Sequence, residues 1–333
     1  MKRLFMILVL SVSIVSVSCQ QGSQDGNNGT KRIEVDKDGF VSIEISSGNP
    51  EATKTEVTSS GVTSWTIGDV VTIIDVEGSK REFNYASKTA QAKAKFTGKL
   101  LGGHGSQKYY AYYGPRESPC EPASSNCLSV KRCDLSLSEN GELNAKLFGE
   151  FCPMVAIPLT FDAQNADDNK NFDFYHVNSL IEARVSSIVN DARLKSFGFN
   201  KILFKVIATS EEAPFNSEVH VMMNQILGPP NVTIPYMEIG EKGSEMSTLI
   251  HLRDNTDLTG LLALSHTSYF AMPIYALPTR TTFTSDAIVE FYQDNDLVCR
   301  LSKSSTKPAK GLNLAALNPI DFNEEDIVFL ATE

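Results

Sequence analysis

This sequence has little of what marks most enzymes and nucleic-acid-binding proteins. Of its 333 residues only five are histidine, at 104, 176, 220, 251 and 266, with no H-E-x-x-H and no paired spacing that would hold a zinc ion locally. There is no G-x-S-x-G elbow and no cysteine in a protease-like setting, so acyl transfer has no local support. The glycine-rich string Leu101-Gly102-Gly103-His104-Gly105 lacks the strand-to-helix context of a phosphate loop and reads as a hairpin loop needing positive φ. Basic charge is also scarce. Thirty Lys and Arg against forty Asp and Glu give a net charge of -10 and an isoelectric point near 5.1, which excludes nucleic acid as a partner because nothing offsets repulsion from the phosphate backbone. Carboxylate runs such as Asp167-Asp168 and Glu324-Glu325-Asp326 read as solvated loop faces; a glycosidase would need two carboxylates held across a cleft. No catalytic residue, metal site or cofactor is expected.

Beyond the first residues no apolar run approaches the length of a membrane span. At the start, Met1-Lys2-Arg3 is a positive region and Leu4 to Val17 an apolar one, the grammar of a signal peptide over residues 1–18. The string Ser16-Val17-Ser18-Cys19 places small residues before a thiol. Cys19 is therefore the expected lipidated (palmitate-bearing) mature terminus and links the chain to a membrane; an ordinary secretory signal or a single transmembrane anchor, with Cys19 incidental, is the rival reading, though the apolar run is short for a span. Residues 19–32, with QQGSQDGNNGT, are too polar to bury anything and read as a flexible tether. An odd number of cysteines remains: Cys120, Cys127, Cys133, Cys152 and Cys299. The first four fall within thirty-three residues of an exported chain and contain no C-x-x-C pair, so disulfides are favoured over metal binding, with Cys299 left over.

The rest of the chain reads as strands. IEVDKDGFVSIEI alternates at Ile33, Val35, Val41, Ile43 and Ile45 around Asp38-Gly39. VTSWTIGDVVTIIDVEG and REFNYASKTAQAKAKFTG follow, and then QKYYAYYGP, stopped by Gly114-Pro115. Glu117 to Asp134, rich in Ser, Pro and Cys, reads as a long loop, and Leu135 to Phe148 as a hairpin around Glu139-Asn140-Gly141. The pattern resets near CPMVAIP, and the polar DAQNADDNKN reads as a linker or loop. The expectation is all-β, with two tandem sandwich domains over 33–160 and 161–333. Asn178 to Asn190 fits a strand better than a short helix. The sequon Asn231-Val232-Thr233 reads as a strand start.

Several segments taken in order resemble the fimbrillin family. Thr53-Lys54-Thr55 precedes a strand with Trp65, Gly68 and Asp69; then come KTAQAKAKFTG, YYAYYGP, CPMVAIP, NFDFYHVNSLIEARV, YFAMPIYALP and AIVEFYQDND. The resemblance spans roughly residues 33 to 333. It implies transthyretin-like sandwich domains, a lipoprotein precursor carried to the outer membrane, and a fimbrium whose subunits join by β-strand complementation after a trypsin-like cut removes the first strand. On this chain the implied cut is after Lys54, with Arg32 the weaker site because cutting there leaves the strand in place. The removable strand is the Ile33, Val35, Val41, Ile43, Ile45 segment. The donor is Ile327, Val328, Phe329 and Leu330, with Ile327 and Phe329 on one face and Val328 and Leu330 on the other. Stalk, tip and anchor roles stay open. A second class also fits: a surface lipoprotein that binds glycan or a host or bacterial surface ligand without polymerising, the YYAYY tyrosines serving either as core or as a sugar-stacking face.

Overall fold

The structure, a computed structural model, describes residues 31–47, 56–57, 63–91, 93–114, 120–131, 135–138, 153–177, 179–185, 198–208, 215–225, 236–243, 245–257, 269–274, 283–307 and 317–331. The signal segment 1–18, Cys19 and the tether up to residue 30, Lys54, Cys133, Cys152 and the sequon at Asn231 lie outside the described residues. The described chain is all-β, as expected; its helical turns are two single 3₁₀ turns, Met223–Gln225 and Glu324–Asp326.

The first half carries β1 (Phe40–Ser47), β2 (Glu56–Val57), β3 (Thr63–Ser64), β4 (Val70–Ile74), β5 (Lys80–Tyr85), β6 (Lys95–Leu101), β7 (Ser106–Tyr113), β8 (Cys120–Ser124), β9 (Cys127–Lys131), β10 (Leu135–Ser138), β11 (Met154–Ala156), β12 (Leu159–Asp162), β13 (Asn171–Phe172) and β14 (Phe174–His176). The second half adds β15 (Ser179–Arg184), β16 (Gly198–Ala208), β17 (Phe215–Met222), β18 (Tyr236–Gly243), β19 (Glu245–Asp257), β20 (Tyr269–Ile274), β21 (Phe283–Gln293), β22 (Asp296–Lys307), β23 (Leu317–Asp321) and β24 (Ile327–Leu330).

The largest sheet runs β13-β1-β6-β5-β4-β7-β11-β14, with β12 also on β7. Its strand β7 buries both faces. Tyr109, Ala111 and Tyr113 enter one core with Val71, Phe83, Phe96, Phe161, Phe174 and Trp65. Tyr110 and Tyr112 face a second core built from Ile74, Val155, Leu128, Val130, Val219 and Val221. An aromatic strand covered on both sides reads without polar alternation, as YYAYY does. Burial, reinforced at Tyr109 by Asp162 and Asp75, pushes the phenols of Tyr109 and Tyr112 up to about 12.

Trp65 anchors the first core. It meets Phe96, Tyr113 and Phe174 edge-on at 5.0, 5.4 and 5.5 Å, the geometry aromatic quadrupoles prefer. The expected turn follows it: Thr66 N donates to Asp69 Oδ2 at 2.6 Å, Asp69 N to Thr66 O at 3.2 Å, and Gly68 takes φ +99°, where a side chain would be strained.

Strand pairing crosses position 160 in both directions. β12 and β13 lie beyond or across it and pair with β7 and β1, while β9 pairs antiparallel with β17, and β10 runs parallel to β19. One local expectation is corrected. The Ser/Pro/Cys-rich stretch is a β8–β9 hairpin, not a long loop, because Cys120, Leu128 and Val130 are buried against β17. Leu135–Ser138 runs parallel to Thr248–His251, far along the chain; residues 139–148, the rest of the expected hairpin, lie outside the described residues. Residues 163–170, read as a linker or loop, form a loop against β1, described below. The strand reading of 179–184 holds.

The second half centres on a six-stranded sheet, β10-β19-β16-β21-β22-β24. Ile202, Phe204 and Val206 pair across with Phe291, Val289 and Ala287, and all are buried. On the opposite face Glu290 is 1% exposed and surrounded by cations: Lys205 Nζ at 3.1 Å, Arg300 at 2.6 Å, with the Tyr292 hydroxyl donating at 2.8 Å. Burial alone would raise this carboxyl, but Tyr292, Lys205 and Arg300 outweigh it and hold it below its ordinary value.

Two predictions follow from these cores. Trp65 is the sole tryptophan, so its blue-shifted emission reports the first core, and Trp65→Ala should cost about 3–5 kcal/mol in urea unfolding followed by far-UV circular dichroism. Because the Glu290 pKa is lowered on folding, its contribution is present above the ordinary carboxylate range and lost as pH falls through the lowered folded value. Glu290→Gln should therefore destabilise by about 2–4 kcal/mol at neutral pH, and the gap to wild type should shrink below about pH 4 in thermal melts.

Candidate functional site

The structure brings together three of the five residues of the expected removable strand. Val41, Ile43 and Ile45 alternate on the buried face of β1 at 0, 5 and 1% exposure. Ile33 and Val35 are separated from them by a turn in which the Asp36 carboxylate accepts from the amides of Asp38 and Phe40; Ile33 packs partly against the core, and Val35 is 40% exposed. The strand proper thus begins at Phe40, because the Asp-Gly turn signal takes effect before it.

β1 lies antiparallel to β6, with Val41 opposite Leu100, Ile43 opposite Gly98 and Ile45 opposite Phe96. Gly98 has a packing reason: a β-carbon there would come within 2.8 Å of the Phe83 ring, which lies over the gap. On its other side β1 meets β13 only at Ser46 and Ser47. Among the described residues, Phe40 to Ile45 therefore carry a fully buried apolar face but ladder partners on one side only. The rim is charged: Lys95 pairs with Glu44 at 2.7 Å and Lys99 with Asp36 at 2.8 Å, and the Lys99 hydrogen bond holds the Asp36 carboxyl below its ordinary value. Both pairs are exposed and salt-screened.

The expected cleavage residue Lys54 is outside the described residues. Arg32 is placed. It forms a β-bridge with Asn165, its guanidinium donates to Gln164 Oε1 at 3.2 Å and lies 3.5 Å from Asp162. The tether's expected end at residue 32 is corrected on this ground, since Lys31 and Arg32 already belong to the folded body.

The expected donor strand, β24, occupies the edge of the six-stranded sheet beside β22. Its expected alternation is corrected by a register shift. Leu330 lies opposite Cys299 and Ile327 opposite Leu301, both buried positions, while Phe329 lies opposite Arg300. The bulge places Ile327 and Leu330 toward the core side and leaves Val328 and Phe329 at 59 and 41% exposure. Sequence reasoning missed β22 as the partner of β24, and missed the loop that holds β1.

For the cysteines, no disulfide forms among the described residues. Cys120 faces Val130 and Cys127 faces Ser124, at opposite ends of the hairpin, so those two are not bridging partners, while Cys133 and Cys152 lie outside the described residues. The YYAYY tyrosines do not form a stacking face: Tyr109, Tyr112 and Tyr113 are buried.

No protein-family model and no curated protein matches the chain. Among solved structures it is similar to a candidate cell adhesion protein from Bacteroides uniformis, at 15% identity and a TM-score of 0.49, over 88% of this chain and 96% of the other. It is also similar to a candidate cell adhesion protein from Bacteroides ovatus (11% identity, TM-score 0.41, 84% and 92% covered) and to a fimbrial assembly protein from Parabacteroides distasonis (12% identity, TM-score 0.31, 85% and 91% covered).

The two strands should differ in how firmly they are held. Ile43→Ala should lower unfolding free energy by about 2–4 kcal/mol, whereas Phe329→Ala, at an exposed edge, should cost less than about 1 kcal/mol. Parallel urea titrations would compare them.

Proposed function

We propose that this chain is a surface-anchored adhesive pilus subunit, held to the outer membrane through acylated Cys19 and joined to its neighbours by β-strand complementation, without catalytic chemistry or cofactor. The observation that carries this reading is the setting of β1: a strand whose apolar side chains are wholly buried, yet which has ladder partners on one side only along Phe40 to Ile45. Its departure leaves two things together, a row of unpaired β6 backbone groups and a slot sized for Val41, Ile43 and Ile45. An incoming strand with the same alternation satisfies both. Lys54, in the segment after β1, is the cut that separates this strand from the body. Ile327 to Leu330 supply a donor at a sheet edge, with two apolar side chains already in solvent. The rival, a non-polymerising glycan binder, loses its aromatic platform with the burial of the tyrosines of β7.

Limited digestion of the purified mature chain with a Lys/Arg-specific protease, followed by intact mass and gel electrophoresis without boiling, tests this. The expected result is a cut after Lys54, a surviving folded body and a ladder of stable oligomers. A chain that resists at Lys54, or is cut and stays monomeric, would overturn strand exchange.

A further inference from the structure

The loop from Asp162 to Phe172 touches the expected removable segment at both of its ends. At the leading end, Ile33 N donates to Gln164 O at 2.7 Å, Ala166 N donates to Lys31 O at 2.9 Å, and the Gln164 side chain receives Arg32 and reaches Ile33 O. At the trailing end, Ser46 N donates to Lys170 O at 3.1 Å, the Ser46 hydroxyl bonds Asn171 Oδ1 at 3.0 Å, and Ser47 pairs with Phe172.

One residue joins the two ends. Lys170 gives its carbonyl to Ser46, while its ammonium caps the carbonyls of Asn165, which bridges Arg32, and Asp168. Asp168 in turn receives the Asp162 amide at 2.6 Å and the Asn165 side chain. The ammonium also lies 5.7 Å from the Phe161 ring centre, at the rim of the core. This part-buried cation thus cross-links a polar loop.

We propose that this loop is a two-point latch, keyed by Lys170, that retains residues 31–47 after the chain has been cut beyond them. The latch, more than the cut, then sets when the strand leaves. This rests on the reading that β1 is removed. A severed segment remains held by β6 along its length and by the loop at each end, and the β6 ladder opens only once an end is free.

Hydrogen exchange on the intact chain tests the latch without any cut. Lys170→Met should speed exchange of the Ile33 and Ser46 amides together by about tenfold, with the β4 and β5 amides unchanged, and Gln164→Ala should act at Ile33 alone. Asp168→Ala, which loosens the same loop from another residue, should repeat the two-ended effect if Lys170→Met fails to fold. Unchanged protection, or acceleration at one end only in both loop variants, overturns the latch. In chains nicked at Lys54, the released fragment is followed by size exclusion and intact mass. It should leave the Lys170→Met body about tenfold sooner than wild type. Equal release overturns the latch while leaving strand exchange standing. If the fragment never leaves any variant, yet exchange responds as stated, the loop clamps both ends of β1 but does not time its release, and the strand-exchange reading fails with that role.

Discussion

Most of this molecule depends on β7 being covered on both faces. A strand carrying Tyr109, Tyr110, Tyr112 and Tyr113 cannot leave either side to water without exposing large aromatic surface, so one layer must form above it and another below. The layer on one side comes from its own sheet curling over Trp65 and Phe161. The other cannot come from local sequence. It is supplied by β9 and β17, strands from opposite halves of the chain that pair with each other and pack on Tyr112. The demand of one strand for two cores therefore stitches the halves together.

That stitching gives β1 its character. The core under Val41, Ile43 and Ile45 is completed by Trp65, Phe96 and Phe174; Phe96 lies opposite Ile45, but its ring and that of Phe174 are also held edge-on by Trp65. A sheet can lose a near-edge strand and keep its shape only if the remaining side chains are held from elsewhere. Here the aromatic ring contacts and the second core do that holding, while the polar loop carrying Lys170 handles the strand's ends.

Strand positions were legible where alternation is local: β1, β4, the Trp65 turn, β16 and β21 all follow from spacing. What was hidden depends on distant partners. The β8–β9 hairpin buries only Cys120, Leu128 and Val130 among Ser, Pro and Glu, and its burial exists because β17 lies beside it. Glu290 sits in an ordinary strand pattern; its burial becomes tolerable through Lys205 and Arg300 on the flanking strands. DAQNADDNKN reads as a linker or loop, and its contacts with both ends of β1 depend on backbone pairing and on Lys170 donating to the Asn165 and Asp168 carbonyls, which composition does not reveal. For the site, the apolar residues of β1 were readable, but the turn at Asp36 and the bulge in β24 are backbone events that shift which residues align.

The same bulge changes what crowding does to the protein. A flat edge strand with exposed apolar residues is a template on which further copies stack. At Val328 one extra residue breaks the even row of amide and carbonyl groups and bends the edge. A neighbouring intact chain therefore meets an edge whose ladder is out of register at Val328, which disfavours cross-β stacking although Val328 and Phe329 lie in solvent.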